Sequence, residues 1–97
     1  MQNYVHTSRH YGISFLSAQI RFARNLETHL QKSVKGDIHC VVHNDELTVR
    51  IYGTNGTAFY HKFENLYILM FNGVDSKTCA FEVLKRYRVF ITNLYFL

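Results

Sequence analysis

The apolar residues of this chain change their spacing twice, and that change constrains the fold more than any single motif. From Ile13 to Val34 they recur at helical intervals, from Ile38 to Phe63 they alternate, and beyond Phe63 the helical interval returns. A helix buries a stripe of period 3.6 and a half-buried strand one of period 2, so the order of spacings is an order of elements. No proline interrupts the 97 residues, so nothing covalent forces a break inside any of these runs.

The first run carries Leu16, Ile20, Ala23, Leu26, Leu30 and Val34 on one stripe, widened by Phe15 and Phe22. Arg21, Arg24, Thr28, Lys32 and Lys35 fall in a narrow sector on the other side, and Gly36 suits the left-handed position past a helix end. The alternating region divides at Asn44-Asp45-Glu46 and at Thr54-Asn55-Gly56, both turn-forming, into three strands of an antiparallel meander. Its inner face reads Ile38, Cys40, Val42, Leu47, Val49, Ile51, Phe59 and Phe63, with His61 among them as a hydrogen-bonded core histidine. Asn65 is placed to cap a short helix through Asn72, ended by Gly73. Asp75 or Ser76 can cap a last helix with the stripe Ala80, Val83, Leu84, Tyr87, Ile91 and Leu94. The expected fold class is therefore α+β: an N-terminal helix, a three-stranded antiparallel meander, a short helix and a long C-terminal helix, in the order αβββαα. Residues 1–12 read as a polar N-terminal arm and 13–97 as one domain.

Composition removes several function classes. A hydrophobic fraction of 47% excludes a disordered tail, and two cysteines are too few for a disulfide scaffold. The first twelve residues hold no apolar stretch of the kind a secretory signal needs. The longest apolar run, Leu66 to Phe71, is far short of the roughly 20 residues that span a bilayer. The expected compartment is cytoplasmic, with reduced thiols and no membrane partner.

Catalytic material is thin. His6 and His10 stand four apart but lack neighbouring carboxylates, and on a strand His39 and His43 lie about 13 Å apart, too far to share a metal. Cys40 and Cys79 read as small buried hydrophobes, with a Cys40–His61 nucleophile pair left open. Carboxylates occur singly apart from Asp45-Glu46, and no phosphate-cradling or nucleophile-elbow motif is present. The expectation is a protein without catalytic residues, metal or cofactor.

The informative constellation is the outer face of the meander. Alternation gives it His39, Val41, His43, Thr48, Arg50, Tyr52, Ala58, Tyr60 and Lys62. Aromatic rings among Arg, Lys and His can anchor a protein interface or stack on bases and meet phosphates. A cover formed by the polar arm or the short helix would instead make this face a second core. The row Arg21, Arg24, Lys32 and Lys35 reads as a solvated helix face, or as a track for phosphates or an acidic partner. The candidate binding residues are Arg21, Arg24, Lys32, His39, His43, Arg50, Tyr52, Tyr60 and Lys62. The net charge of +4 permits nucleic acid without requiring it. The apolar end, Phe90 to Leu97, docks into the core or is buried between subunits, so a homodimer through the C-terminal helix is open.

The order helix, three strands, helix resembles that of double-stranded-RNA-binding domains and of the HicA toxins. The chain departs from both, with one lysine in Asp75-Ser76-Lys77-Thr78-Cys79-Ala80 and no Gly-Ser-His segment. A second resemblance covers the last third: Phe63-Glu64-Asn65, then Asn72-Gly73, then Glu82-Val83-Leu84-Lys85-Arg86-Tyr87. This is similar to small proteins carried by phages and mobile elements of Gram-positive bacteria, and αβββαα is the order of some anti-CRISPR proteins. The resemblance implies an inhibitor of a CRISPR effector nuclease, a ribonucleoprotein. A basic chain would act by occluding or locking the nuclease or engaging its guide RNA, in place of the acidic DNA mimicry common among such inhibitors. A nucleic-acid-binding domain and a small toxin RNase using His39, His43 or His61 are the alternatives.

Overall fold

The computed structural model describes the backbone of residues 2–53 and 55–96 and the side chains of residues 15–53 and 55–95. Its elements are α1 (Gln2–Gln31), β1 (Asp37–His43), β2 (Glu46–Tyr52), β3 (Ala58–Phe63), α2 (Leu66–Phe71) and α3 (Ser76–Phe96). The fold is α+β in the order αβββαα, as the spacing predicts.

The strands form one antiparallel sheet in the order β1-β2-β3. The rows Ile38↔Ile51↔Phe59 and Cys40↔Val49↔His61 lie on its inner face. Ile38, Leu47, Val49, Ile51, Phe59 and Phe63 are buried there with Ala23, Leu26 and Leu30 of α1, Leu66 of α2, and Cys79, Ala80 and Val83 of α3. Each fully buried Leu, Ile or Val contributes about 1.5–3 kcal/mol over its exposed state, so this single cluster is the main source of stability.

The β1–β2 connection is a two-residue hairpin, with Asn44 at φ 47° and Asp45 at φ 62°. Positive φ at both positions matches the twist of the flanking strands, and Asn and Asp tolerate it better than other side chains.

Three details depart from the expected pattern. First, α1 starts at Gln2, well before Ile13, since no proline forbids a helix there. The side chains of His6 and His10 lie outside the described residues. Second, Leu16 and Ile20 are exposed while Gln19 is buried. Gln19 continues the buried row Ala23, Leu26 and Leu30 by one helical turn, and its Nε2 donates to Asp45 Oδ1 at 2.7 Å, which satisfies the amide there. Third, α1 ends at Gln31, closed by the bond from Val34 N to Leu30 O at 3.0 Å. Lys32 and Lys35 therefore sit in the following turn, outside the helical row expected of them. Gly36, at φ 143°, serves close approach rather than helix termination, because a Cβ there would lie 2.5 Å from the Tyr52 carbonyl oxygen.

Candidate interaction surface

β-Strand alternation sends every second side chain of the meander away from the helices. On that outer face His39, Val41, His43, Arg50, Tyr52, Tyr60 and Lys62 are exposed, and Thr48 and Ala58 half-buried. No described residue of α1 or α2 covers the face, so it is not a second core. Pairing places His39, Arg50 and Tyr60 in one row across the three strands. Tyr52 stands diagonally between them, its ring 6.0 Å from the His39 ring and 6.3 Å from that of Tyr60, edge to face in both cases. The Tyr52 hydroxyl raises the Tyr60 phenol above its ordinary pKa of 10, against a smaller lowering by Arg50.

Lys62 lies in the next row and pairs with Glu46, Nζ to Oε2 3.8 Å. The sequence reading put Glu46 in the turn. It is the first residue of β2 and faces outward with Thr48 and Arg50, a position that strict alternation would have assigned to it. His43 is opposite Glu46 at the end of the sheet. Among the described residues, the lysine or arginine of the face without an ion-pair partner is therefore Arg50, in the middle of the aromatic group.

The remaining candidates are elsewhere. Arg21 and Arg24 are exposed on α1, on the side away from its packed residues Ala23, Leu26 and Leu30. Lys32 lines a groove between the end of α1 and the start of α3, with His29, Lys77 and Phe81. The proposed binding residues thus divide into a sheet cluster of His39, Arg50, Tyr52 and Tyr60, with Lys62 and His43 toward the end of the same face, and separate basic positions on α1 and after it.

The nucleophile candidates are not brought together. Cys40 and His61 share a row with Val49 between them, two strand spacings or about 10 Å apart. Burial, reinforced by the Glu27 carboxylate, pushes the Cys40 thiol up to about 12. Burial likewise raises Cys79 to about 11. Both thiols stay protonated at neutral pH, which disfavours nucleophilic attack. His61 is half-buried, its ring 4.6 Å from that of Phe63, and burial lowers its pKa below 6.5. Among the described residues no group of three or more His, Cys, Asp or Glu is placed to hold a metal ion. No helix among them is long and apolar enough to cross a membrane.

Compared with known protein families, curated proteins and solved structures, the chain finds no match. Function must be argued from the surface itself.

Proposed function

We propose that this protein is a non-enzymatic binding protein, encoded by a phage or mobile element, that docks its outer sheet face on a protein of a host defence nuclease complex of the CRISPR effector type and inhibits it. The observation that supports this is the uncovered row His39, Arg50 and Tyr60 with Tyr52 beside it. Two tyrosines and one arginine at the centre of an open face are the residue types that dominate protein interfaces. They offer large rigid area, with one directional charge to fix orientation. The charge layout favours a protein over a nucleic-acid backbone. Glu46 offsets Lys62, and Arg21 and Arg24 point away from the packed side of α1, so no continuous basic track joins the two surfaces.

The test is target cleavage by a purified CRISPR effector ribonucleoprotein with the protein added. Inhibition is expected from the unaltered chain, and Arg50→Glu with Tyr52→Ala should relieve it at least tenfold while circular dichroism stays unchanged. Unimpeded cleavage across several effector types would sink the inhibitor reading. Binding to free RNA or DNA that weakens steeply between about 50 and 200 mM salt would replace the protein partner with a nucleic acid.

A further inference from the structure

The two edges of the sheet are finished differently. Gly53 N donates to Thr57 O at 2.9 Å, which sets the phase of the β2–β3 ladder. Ile51↔Phe59, Val49↔His61 and Leu47↔Phe63 are its hydrogen-bonded pairs. The N–H and C=O groups of Ala58, Tyr60 and Lys62 therefore point away from β2. The same alternation turns Ile38, Cys40 and Val42 toward the outer edge of β1. There α1 packs against the strand, and Glu27 Oε2 accepts from Cys40 N, the middle donor of that edge, at 3.4 Å. Among the described residues no hydrogen bond reaches Ala58, Tyr60 or Lys62 from the open side of β3. Proteins commonly protect such edges with a proline, a lysine, an inward charge, a bulge or a covering segment. β3, Ala58–Phe63, has no proline and no charged residue on its inner face apart from half-buried His61, and its one lysine, Lys62, is drawn to Glu46 of β2.

We infer that β3 pairs antiparallel with β3 of a second copy of this chain, about a two-fold axis at Tyr60, to form one continuous six-stranded sheet. The self-complementarity of the strand selects both occupant and register. Centring on Tyr60 sets Ala58 opposite Lys62 of the second copy and Tyr60 opposite its counterpart. All three free donors and three free acceptors on each strand are then used, about six new backbone bonds. Shifting the register to centre on Lys62 would oppose two lysines, and centring on Ala58 would leave the Lys62 groups unpaired.

The helix above this edge is prepared for the same neighbour. α3 packs over β3 through Phe59, whose ring lies 5.4 Å from Tyr87 and 5.3 Å from Phe90. On the flank away from α1, Glu82, Lys85, Arg86, Val89, Phe90 and Asn93 line a groove of about 530 Å³. Val89 is 58% exposed there. The flank carries both signs, with Glu82 paired to Arg86 at 3.6 Å, so an antiparallel copy can set its acid against the other's bases. The inference is independent of the partner assigned to the outer face, since it uses the backbone edge of β3 and not the outward side chains.

Sedimentation of the full chain across the micromolar range, at about 0.15 M ionic strength, is the test. A concentration-dependent dimer is expected. Tyr60→Pro removes one edge donor without touching the β2 ladder, a change that edge strands tolerate, and should give monomers with unchanged circular dichroism. Tyr60→Thr, which keeps the N–H, should remain dimeric. A wild-type chain that is monomeric throughout, or a folded Tyr60→Pro variant that still dimerises, overturns the inference. Should the proline variant not fold, Ala58 decides. Ala58→Lys should weaken the dimer and Ala58→Glu strengthen it, each by about 2- to 30-fold through two symmetric cross-strand pairs. Equal dissociation constants for the two charge variants would also overturn it.

Discussion

The helices α2 and α3 begin only ten residues apart, yet their first turns are held in opposite ways. At α3 the capping is local: Asp75 Oδ1 accepts from Thr78 N at 2.8 Å, three residues on. At α2 it comes from the β1–β2 hairpin. Asp45 Oδ1 accepts from Tyr67 N at 2.7 Å and the Asp45 carbonyl from Leu66 N at 2.9 Å. Asn65, the expected cap, stands at φ 53° and makes no side-chain cap bond. A six-residue helix cannot stabilise itself in water, so α2 depends on the sheet for its start and on a glycine for its end. Gly73, at φ 79°, allows the closing bonds from Gly73 N to Met70 O and Val74 N to Leu69 O. One carboxylate thus ties a hairpin, a short helix and, through Gln19, the first helix together.

Asp45→Ala should break this arrangement most severely. It removes a helix cap and leaves the buried amide of Gln19 without its acceptor, a loss of about 2–3 kcal/mol in urea unfolding. Gln19→Leu alone should cost less, and combining the two should cost less than their sum, because the unsatisfied amide is then gone. Strict additivity would show that the two side chains do not act together.

Asn65 sharpens the contrast at an intermediate size. If its role is only to accept a left-handed backbone, Asn65→Ala should lose about 1 kcal/mol while Asn65→Gly loses nothing. An equal loss in both would return the cap to Asn65.

The smallest effect concerns the local cap and appears on acidification. Hydrogen bonds from the Thr78 hydroxyl and then its backbone N–H hold the Asp75 carboxyl below its ordinary 3.8. A depressed folded pKa gives stability that is fully present above the unfolded value and is lost as pH falls through the folded one. Stability should therefore drop below about pH 4, and Asp75→Asn should flatten that part of the profile in thermal unfolding. An unchanged acid limb in the variant would assign the drop to other carboxylates.

The same pair of helices shows what could be read from the chain. Asp75 is legible because its bond partner is three residues away. Asp45 is not, because its partners meet it only after the hairpin has folded. The bond from Gln19 was hidden for the same reason. The stripe expected on α1 holds at Ala23, Leu26 and Leu30 and fails at Leu16 and Ile20, because the buried row continues through Gln19, whose polar partner on the hairpin is distant in sequence. The meander, by contrast, was legible almost residue by residue, since its inner positions are mostly aliphatic or aromatic and its outer ones, Val41 and Ala58 apart, polar or tyrosine. The members of the outer cluster followed from that alternation. Their openness to solvent did not, because whether a neighbouring element covers a face is a property of packing rather than of spacing.

The Glu27 carboxylate at the β1 edge sets a stoichiometric limit. A sheet accessible from both sides can add chains without end, as fibrils do. Here the chain's own Glu27 already holds the middle donor of the β1 edge, and a strand added there must displace it, whereas β3 offers its donors free. Strand addition beyond two molecules is therefore disfavoured, and the exposed groups of β3 that make pairing feasible are satisfied in the act.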